Sequence, residues 1–128
     1  MASPVPANIV SNPTYLASTV TFQGTIASGA SLSGAIDLGE ARLWAILMPG
    51  TWTAASLTFQ ASLDGINYAN LFDNTGTEVT WAAAASQFQY ELFPAKWLAI
   101  RWLKIRSGTA GVPVNQGGAR ILTVVAVP

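Results

Sequence analysis

Residues 56–63 read Ser-Leu-Thr-Phe-Gln-Ala-Ser-Leu, with Leu57, Phe59, Ala61 and Leu63 on one parity and Ser56, Thr58, Gln60 and Ser62 on the other. Side chains of an extended chain alternate between the two faces of a sheet, so this stretch predicts a strand with one face buried and the other wet. Upstream, Ala30, Leu32, Gly34, Ile36 and Leu38 alternate in the same way with Ser31, Ser33, Ala35 and Asp37. Shorter runs of this kind cover residues 19–26, 43–48, 68–72, 77–81 and 88–93. Residues 97–106 and 120–127 are apolar on both parities, as in strands at the centre of a packed sandwich.

Between these runs stand turn signals: Ser28-Gly29, Pro49-Gly50, Asp64-Gly65, Asp73-Asn74-Thr75-Gly76, and residues 107–119 with Gly108, Gly111, Gly117 and Gly118. Their spacing, without a 3.6-residue period, predicts an all-β fold: an antiparallel jelly-roll β-sandwich of about nine strands over residues 19–128. Residues 81–87, which include Ala82, Ala83, Ala84 and Ala85, read equally as a two-turn helix or as a loop. Residues 1–18 contain Pro4, Pro6 and Pro13 and no charge. They read as an extended arm, either a plain tail or an arm that orders on a neighbouring subunit.

At 128 residues the chain is expected to build one core. It has neither cysteine nor histidine, which removes disulfide frameworks, zinc fingers, cysteine nucleophiles and histidine general bases. Charged residues make up 9 % of the chain, against about 25 % in ordinary soluble proteins. So sparsely charged a surface is poorly defended against sticking, and the expectation is that other subunits cover part of it. The N-terminus lacks the basic start and apolar stretch of a secretory signal, and no run approaches the ~18 apolar residues of a spanning helix. The expectation is a chain made in a cytoplasm, with no membrane partner.

The charges are unevenly placed. Asp37, Glu40, Asp64, Asp73, Glu78 and Glu91 all precede residue 92 with Arg42 as the single base among them, whereas Lys96, Arg101, Lys104, Arg106 and Arg120 follow without an acid. The two stretches attract, so ion pairs across the sheet or complementary contacts between identical subunits are both expected. Five bases in a chain of zero net charge make a poor footprint for nucleic acid.

Asp64 precedes Gly65 and Asp73 opens Asp-Asn-Thr-Gly, places where an Asx side chain closes a turn on its own backbone. The competing uses are a carboxylate pair for acid/base chemistry or a calcium site from Asp64, Asn67, Asp73 and Glu78, which no EF-hand or repeat spacing supports. Lys104 and Ser107 stand in the reverse of a Ser-x-x-Lys order, and the glycine-rich loop lacks dinucleotide-binding spacing. No catalytic, metal or cofactor residue is assigned, and the chain is not expected to be an enzyme. Trp44, Trp81, Trp97 and Trp102 are expected in the core. Trp52, in Met48-Pro-Gly-Thr-Trp52-Thr, either plugs one end of the sandwich or presents its ring to a partner. The candidate interface or ligand contacts are therefore Trp52, Tyr68, Arg101, Lys104 and Arg106.

The stretch SLTFQASLDGINYANLFDNTGTEVT resembles the F-x-x-S-x-D-G hairpin of discoidin-like, galactose-binding-like jelly rolls, and WLAIRWLKIRSG with the final RILTVVAV resembles their closing strand pair. SLSGAIDLG, ILMPGTWTAASLTFQASLDG and LKIRSGTAGVPVNQGGAR resemble small proteins encoded among the head and tail genes of tailed bacteriophages and prophages. That resemblance implies a virion structural protein: a capsid cement or decoration subunit, a homotrimer in contact with the major capsid protein. The alternatives it leaves are a glycan-binding fibre or spike tip that uses Trp52 and Tyr68, and a small tail or connector component.

Overall fold

The computed structural model of the protein describes residues 19–128, so the arm expected over residues 1–18 lies outside the described residues. Within them, eight strands form: β1 (Val20–Ile26), β2 (Ile36–Asp37), β3 (Arg42–Leu47), β4 (Leu57–Ser62), β5 (Ala69–Asn70), β6 (Phe88–Tyr90), β7 (Trp102–Ser107) and β8 (Arg120–Val127). They make two four-stranded sheets, ordered β1-β8-β3-β6 and β2-β7-β4-β5, with antiparallel pairing throughout. The two runs that are apolar on both parities supply β7 and β8, each flanked by a strand on either side.

The alternation of residues 56–63 holds only in part: the strand ends at Ser62, Leu63 is 97 % exposed, and Thr58 and Ser62 of the expected wet parity are buried, Thr58 because its hydroxyl donates to the Gly108 carbonyl at 2.7 Å. Leu57 and Phe59 turn inward and are fully buried, as are Leu103 and Ile105 of the neighbouring β7. From the opposite sheet Ile26, Leu43, Ile46, Leu122 and Val124 meet them, so one core lies between the two layers. Burying a side chain of this size contributes roughly 1.5–3 kcal/mol.

Elsewhere the strand expectations shorten. Residues 30–38 pair only at Ile36–Asp37 and at an isolated bridge between Leu32 and Arg106. The reason is Ser33: its Oγ accepts from the Ile105 N–H at 2.9 Å and donates to the Gly34 carbonyl at 2.8 Å, so a side chain takes a place in the ladder. Residues 77–81 make isolated bridges, Phe72 to Glu78 and Leu57 to Trp81, rather than a strand, which brings the expected nine to eight. Residues 97–106 are also not one strand: a 3-10 turn at Pro94–Trp97 precedes the ladder, which starts at Trp102. Residues 81–87 form no helix; Ser86 adopts φ 64° and the Gln87 carbonyl accepts from Met48 N–H, so the loop alternative holds.

The tryptophans divide. Trp97 is 1 % exposed and Trp81 packs against the core, as expected, whereas Trp44 and Trp102 are half-buried on outer faces. A register shift between Leu43 and Ala45 interrupts β3 at Trp44, and the ring stacks instead on Phe88 and Tyr90 at 5.9 and 5.8 Å. Trp102 alternates with Leu103 and therefore faces outward, under the Arg101 guanidinium.

Because Phe59 sits at the centre of this core, Phe59→Ala is expected to lower stability by about 3–5 kcal/mol. Ile121→Ala, at a position 50 % exposed, is expected to cost less than about 1 kcal/mol; urea unfolding of the two variants checks the contrast.

Candidate functional site

The outer face of the β2-β7-β4-β5 sheet brings four of the five candidate residues together. Pairing places Asp37, Trp102 and Ser62 in one row, Lys104, Gln60 and Asn70 in the next, and Arg106 with Thr58 in a third. Arg106 is 7 % exposed, its guanidinium donating to Asn70 Oδ1 at 2.6 Å and Thr58 Oγ1 at 3.3 Å, with Glu78 Oε2 at 3.4 Å. Glu78 in turn accepts from the Ala110 N–H. This is a buried structural pair, so Arg106 is not a contact residue: its donors are spent inside the chain.

Arg101 makes a two-pronged pair with Asp37, Nε to Oδ1 at 2.8 Å and Nη2 to Oδ2 at 3.1 Å, and lies over Trp102. The pair is largely exposed; the Arg101 hydrogen bond, with that of the Gly39 N–H, holds the Asp37 carboxyl below its ordinary value. Lys104 Nζ stands 4.4 Å over the Tyr68 ring, a cation–π contact. Burial and the nearby Asp64 and Asp37 charges push the Tyr68 phenol up, and its hydroxyl has no partner among the described residues. Both ion pairs join a late base to an early acid, as the uneven charge pattern suggests.

Trp52 lies apart from these residues. Its Nε1 donates to the Ala55 carbonyl at 3.0 Å and its half-buried ring packs against the core. Beside it, Gln116 is 1 % exposed and ties three segments together: Oε1 accepts from Thr53 N–H and Arg120 Nε, while Nε2 donates to the Thr53 carbonyl and Ser107 Oγ. Nothing in the local sequence marks a glutamine among glycines as buried; only the convergence of loops around residues 53, 107 and 120 makes it so.

A hollow of about 710 Å³ opens beside Trp81 and Trp97, with Phe72, Asp73, Asn74 and Lys96 around it. Three carboxylates line it, and each serves as an internal acceptor. Asp73 Oδ1 takes the Thr75 hydroxyl and the Thr75 and Thr77 N–H groups, which hold its carboxyl low. Glu91, buried, accepts from Trp97 Nε1 at 2.9 Å and Phe93 N–H at 3.0 Å, and Glu78 is bound to Arg106. Asp64 closes its own turn: the Asn67 and Ile66 N–H groups hold it far below the usual carboxylate range, with the Ser62 hydroxyl adding to the effect. The Asx-turn roles are therefore real. Asp64 and Asn67 line a different hollow from Asp73 and Glu78, and no group of three acidic residues suited to a metal ion occurs among the described residues.

The feature sequence reasoning missed is on the other sheet. Trp44, Phe88, Tyr90 and Leu47 share the outer face of β3 and β6, with Ile121 of β8 nearby; Phe88 is 51 %, Tyr90 58 % and Leu47 41 % exposed. Phe88 and Tyr90 are two apart in the sequence, so their common side was legible, but which side faced water was not.

Depressed carboxyls at Asp37, Asp64 and Asp73 contribute stability that is present above their ordinary value of 3.8 and lost as pH falls through the lower folded-state values. The melting temperature is expected to be level between about pH 5.5 and 7, where no histidine titrates, and to fall below about pH 4; calorimetry across that range checks it. Removing one partner of the buried pair, as in Glu78→Ala, is expected to cost about 3–5 kcal/mol, measured by urea unfolding. Comparison with protein-family models, with curated proteins and with solved structures finds no match to this chain.

Proposed function

We propose that the protein is a non-enzymatic structural subunit of a tailed-bacteriophage virion. In this reading it is a jelly-roll cement or decoration protein, made in the host cytoplasm, that stabilises a shell through contacts with copies of itself and with the major capsid protein. The observation that supports it is the outer face of β3 and β6, where Trp44, Leu47, Phe88 and Tyr90 form a solvent-facing apolar cluster on a chain that is only 9 % charged. Contiguous exposed apolar patches mark contact surfaces, and covering one contributes about 25 cal/mol per Å² before ordering costs. Repeated over a shell, weak contacts of this kind add up.

A second reading, a glycan-binding spike or fibre tip, is favoured by one feature: a cavity with Trp81 and Phe72 beside Asn74, Asp73 and Lys96 offers an aromatic wall and polar groups, as sugar rings require. Trp52, whose indole is engaged internally, would take no part. A tail or connector component differs from both in copy number.

Virions rebuilt without this chain are expected to lose resistance to heat and internal pressure, and Phe88→Ser with Tyr90→Ser to weaken its attachment at least ten-fold while leaving its own unfolding midpoint nearly unchanged. Particles equally resistant without it would reject the cement role. For the second reading, a glycan array should show binding that Phe72→Ala and Lys96→Ala abolish and Trp52→Ala does not.

A further inference from the structure

Each four-stranded sheet has two edges, and three of the four are short: β6 has three residues, β2 and β5 two each. The fourth is β1, seven residues long, VTFQGTI, with no proline and no charge. Soluble proteins blunt their sheet edges with short strands, lysines, prolines or bulges, because an open row of N–H and C=O groups is a template for another strand. Three edges here obey that rule and β1 does not.

Which groups are open follows from one bond. The Thr25 carbonyl accepts from the Gly34 N–H at 3.3 Å, and Gly34 approaches from the side away from β8. Backbone groups of an antiparallel strand point alternately to one neighbour and the other, so residues of the same parity, Thr21 and Gln23, also aim their N–H and C=O away from β8. Neither has a backbone partner on that side among the described residues, and both side chains are exposed. The Gly34 crossing takes the Thr25 carbonyl, and among the described residues the edge is open from Val20 to Gly24.

We propose that this open edge is an interface between two copies of the chain, in which β1 pairs antiparallel with β1 of a second copy across a two-fold axis. The same bond limits the register. Centring the axis on Gln23 would require Thr25, whose carbonyl is taken; centring it on Phe22 sets Thr21 opposite Gln23 of the second copy, and the reverse, so the N–H and C=O groups of both residues find partners. The occupant is a second copy because the strand complements itself: it carries no charge to repel its twin, Thr21 meets Gln23 on the wet face, and Phe22 meets its own mate at the rim of the core, an aromatic cross-strand pair. The contact turns two four-stranded sheets into one continuous sheet of both copies. It joins copies in pairs whether or not a three-fold contact also exists. The inference rests on the structural-subunit reading only for the use such an edge has; rebuilt particles test that reading and solution assembly tests this one.

Sedimentation of the full chain is expected to show a dimer or a multiple of it. Gln23→Pro removes an outward N–H and leaves the ladder to β8 intact, so subunit unfolding is retained while self-association weakens at least ten-fold. Should that variant fail to fold, Thr21→Lys with Gln23→Lys carries the test and is expected to have the same effect. The chain has no cysteine, so Phe22→Cys reports the register: at a non-hydrogen-bonded pair the two Cα atoms lie ~4.5 Å apart, and oxidation is expected to give a covalent dimer. Thr25→Cys, roughly 20 Å from its mate, is expected to give none. A chain that is monomeric at every concentration reached, or association unchanged in the folded edge variants, overturns the proposal. A monomer whose Thr21 and Gln23 amides exchange slowly also overturns it, since the edge is then covered from within its own chain. Cross-linking through residue 25 but not 22 overturns the register.

Discussion

A buried indole must hydrogen-bond, and the way Trp97 does so organises the half of this protein that is not sheet. Its Nε1 reaches Glu91, a buried carboxylate that also accepts the Phe93 N–H. The ring meets Phe59 at 5.0 Å and Trp81 at 5.8 Å, edge to face in both cases, and Phe59 meets Trp81 at 5.4 Å. Three aromatic rings from β4, from the segment after residue 76 and from the 3-10 turn thus share one point in the core. Without that convergence the segments around residues 81 and 91–97 would have only isolated backbone bonds to hold them, since neither continues a ladder for long. The hollow of about 710 Å³ lies beside Trp81 and Trp97, against these segments.

The few charges are used almost wholly inside the chain. Asp64 and Asp73 close turns, Asp37 grips Arg101, Glu78 grips Arg106, and Glu91 holds Trp97. Each carboxylate accepts hydrogen bonds from the protein's own donors, which stabilises local geometry. The two outer faces contrast. One carries a lattice of polar and cation–π contacts around Arg101, Lys104 and Arg106; the other offers Trp44, Phe88 and Tyr90 to solvent.

Some of this was legible in the residues. Strict alternation at residues 56–63 and double-sided apolarity at 97–106 and 120–127 identified β4 and the two central strands, because a period of two is a local property. The Asx turns at Asp64 and Asp73 were equally local: the side chain bonds a backbone only two or three residues away. Opposite charge in the two parts of the chain anticipated that late bases would meet early acids.

What only the folded chain decided were the contacts that need distant segments. Ser33 displaces a strand because Ile105 happens to lie against it, Gln116 is buried because three loops close over it, and Trp44 leaves the core because β3 slips by one residue. Arg106 looked like a free cation in sequence and is a buried pair because Glu78 and Asn70 come from elsewhere in the chain. Periodicity tells which residues share a face; it cannot tell which face another layer will cover, since that depends on where the chain returns. For the same reason the amino-acid order by itself determined an all-β, antiparallel, sparsely charged protein, and the tertiary structure alone decided which aromatic rings are core and which remain in water.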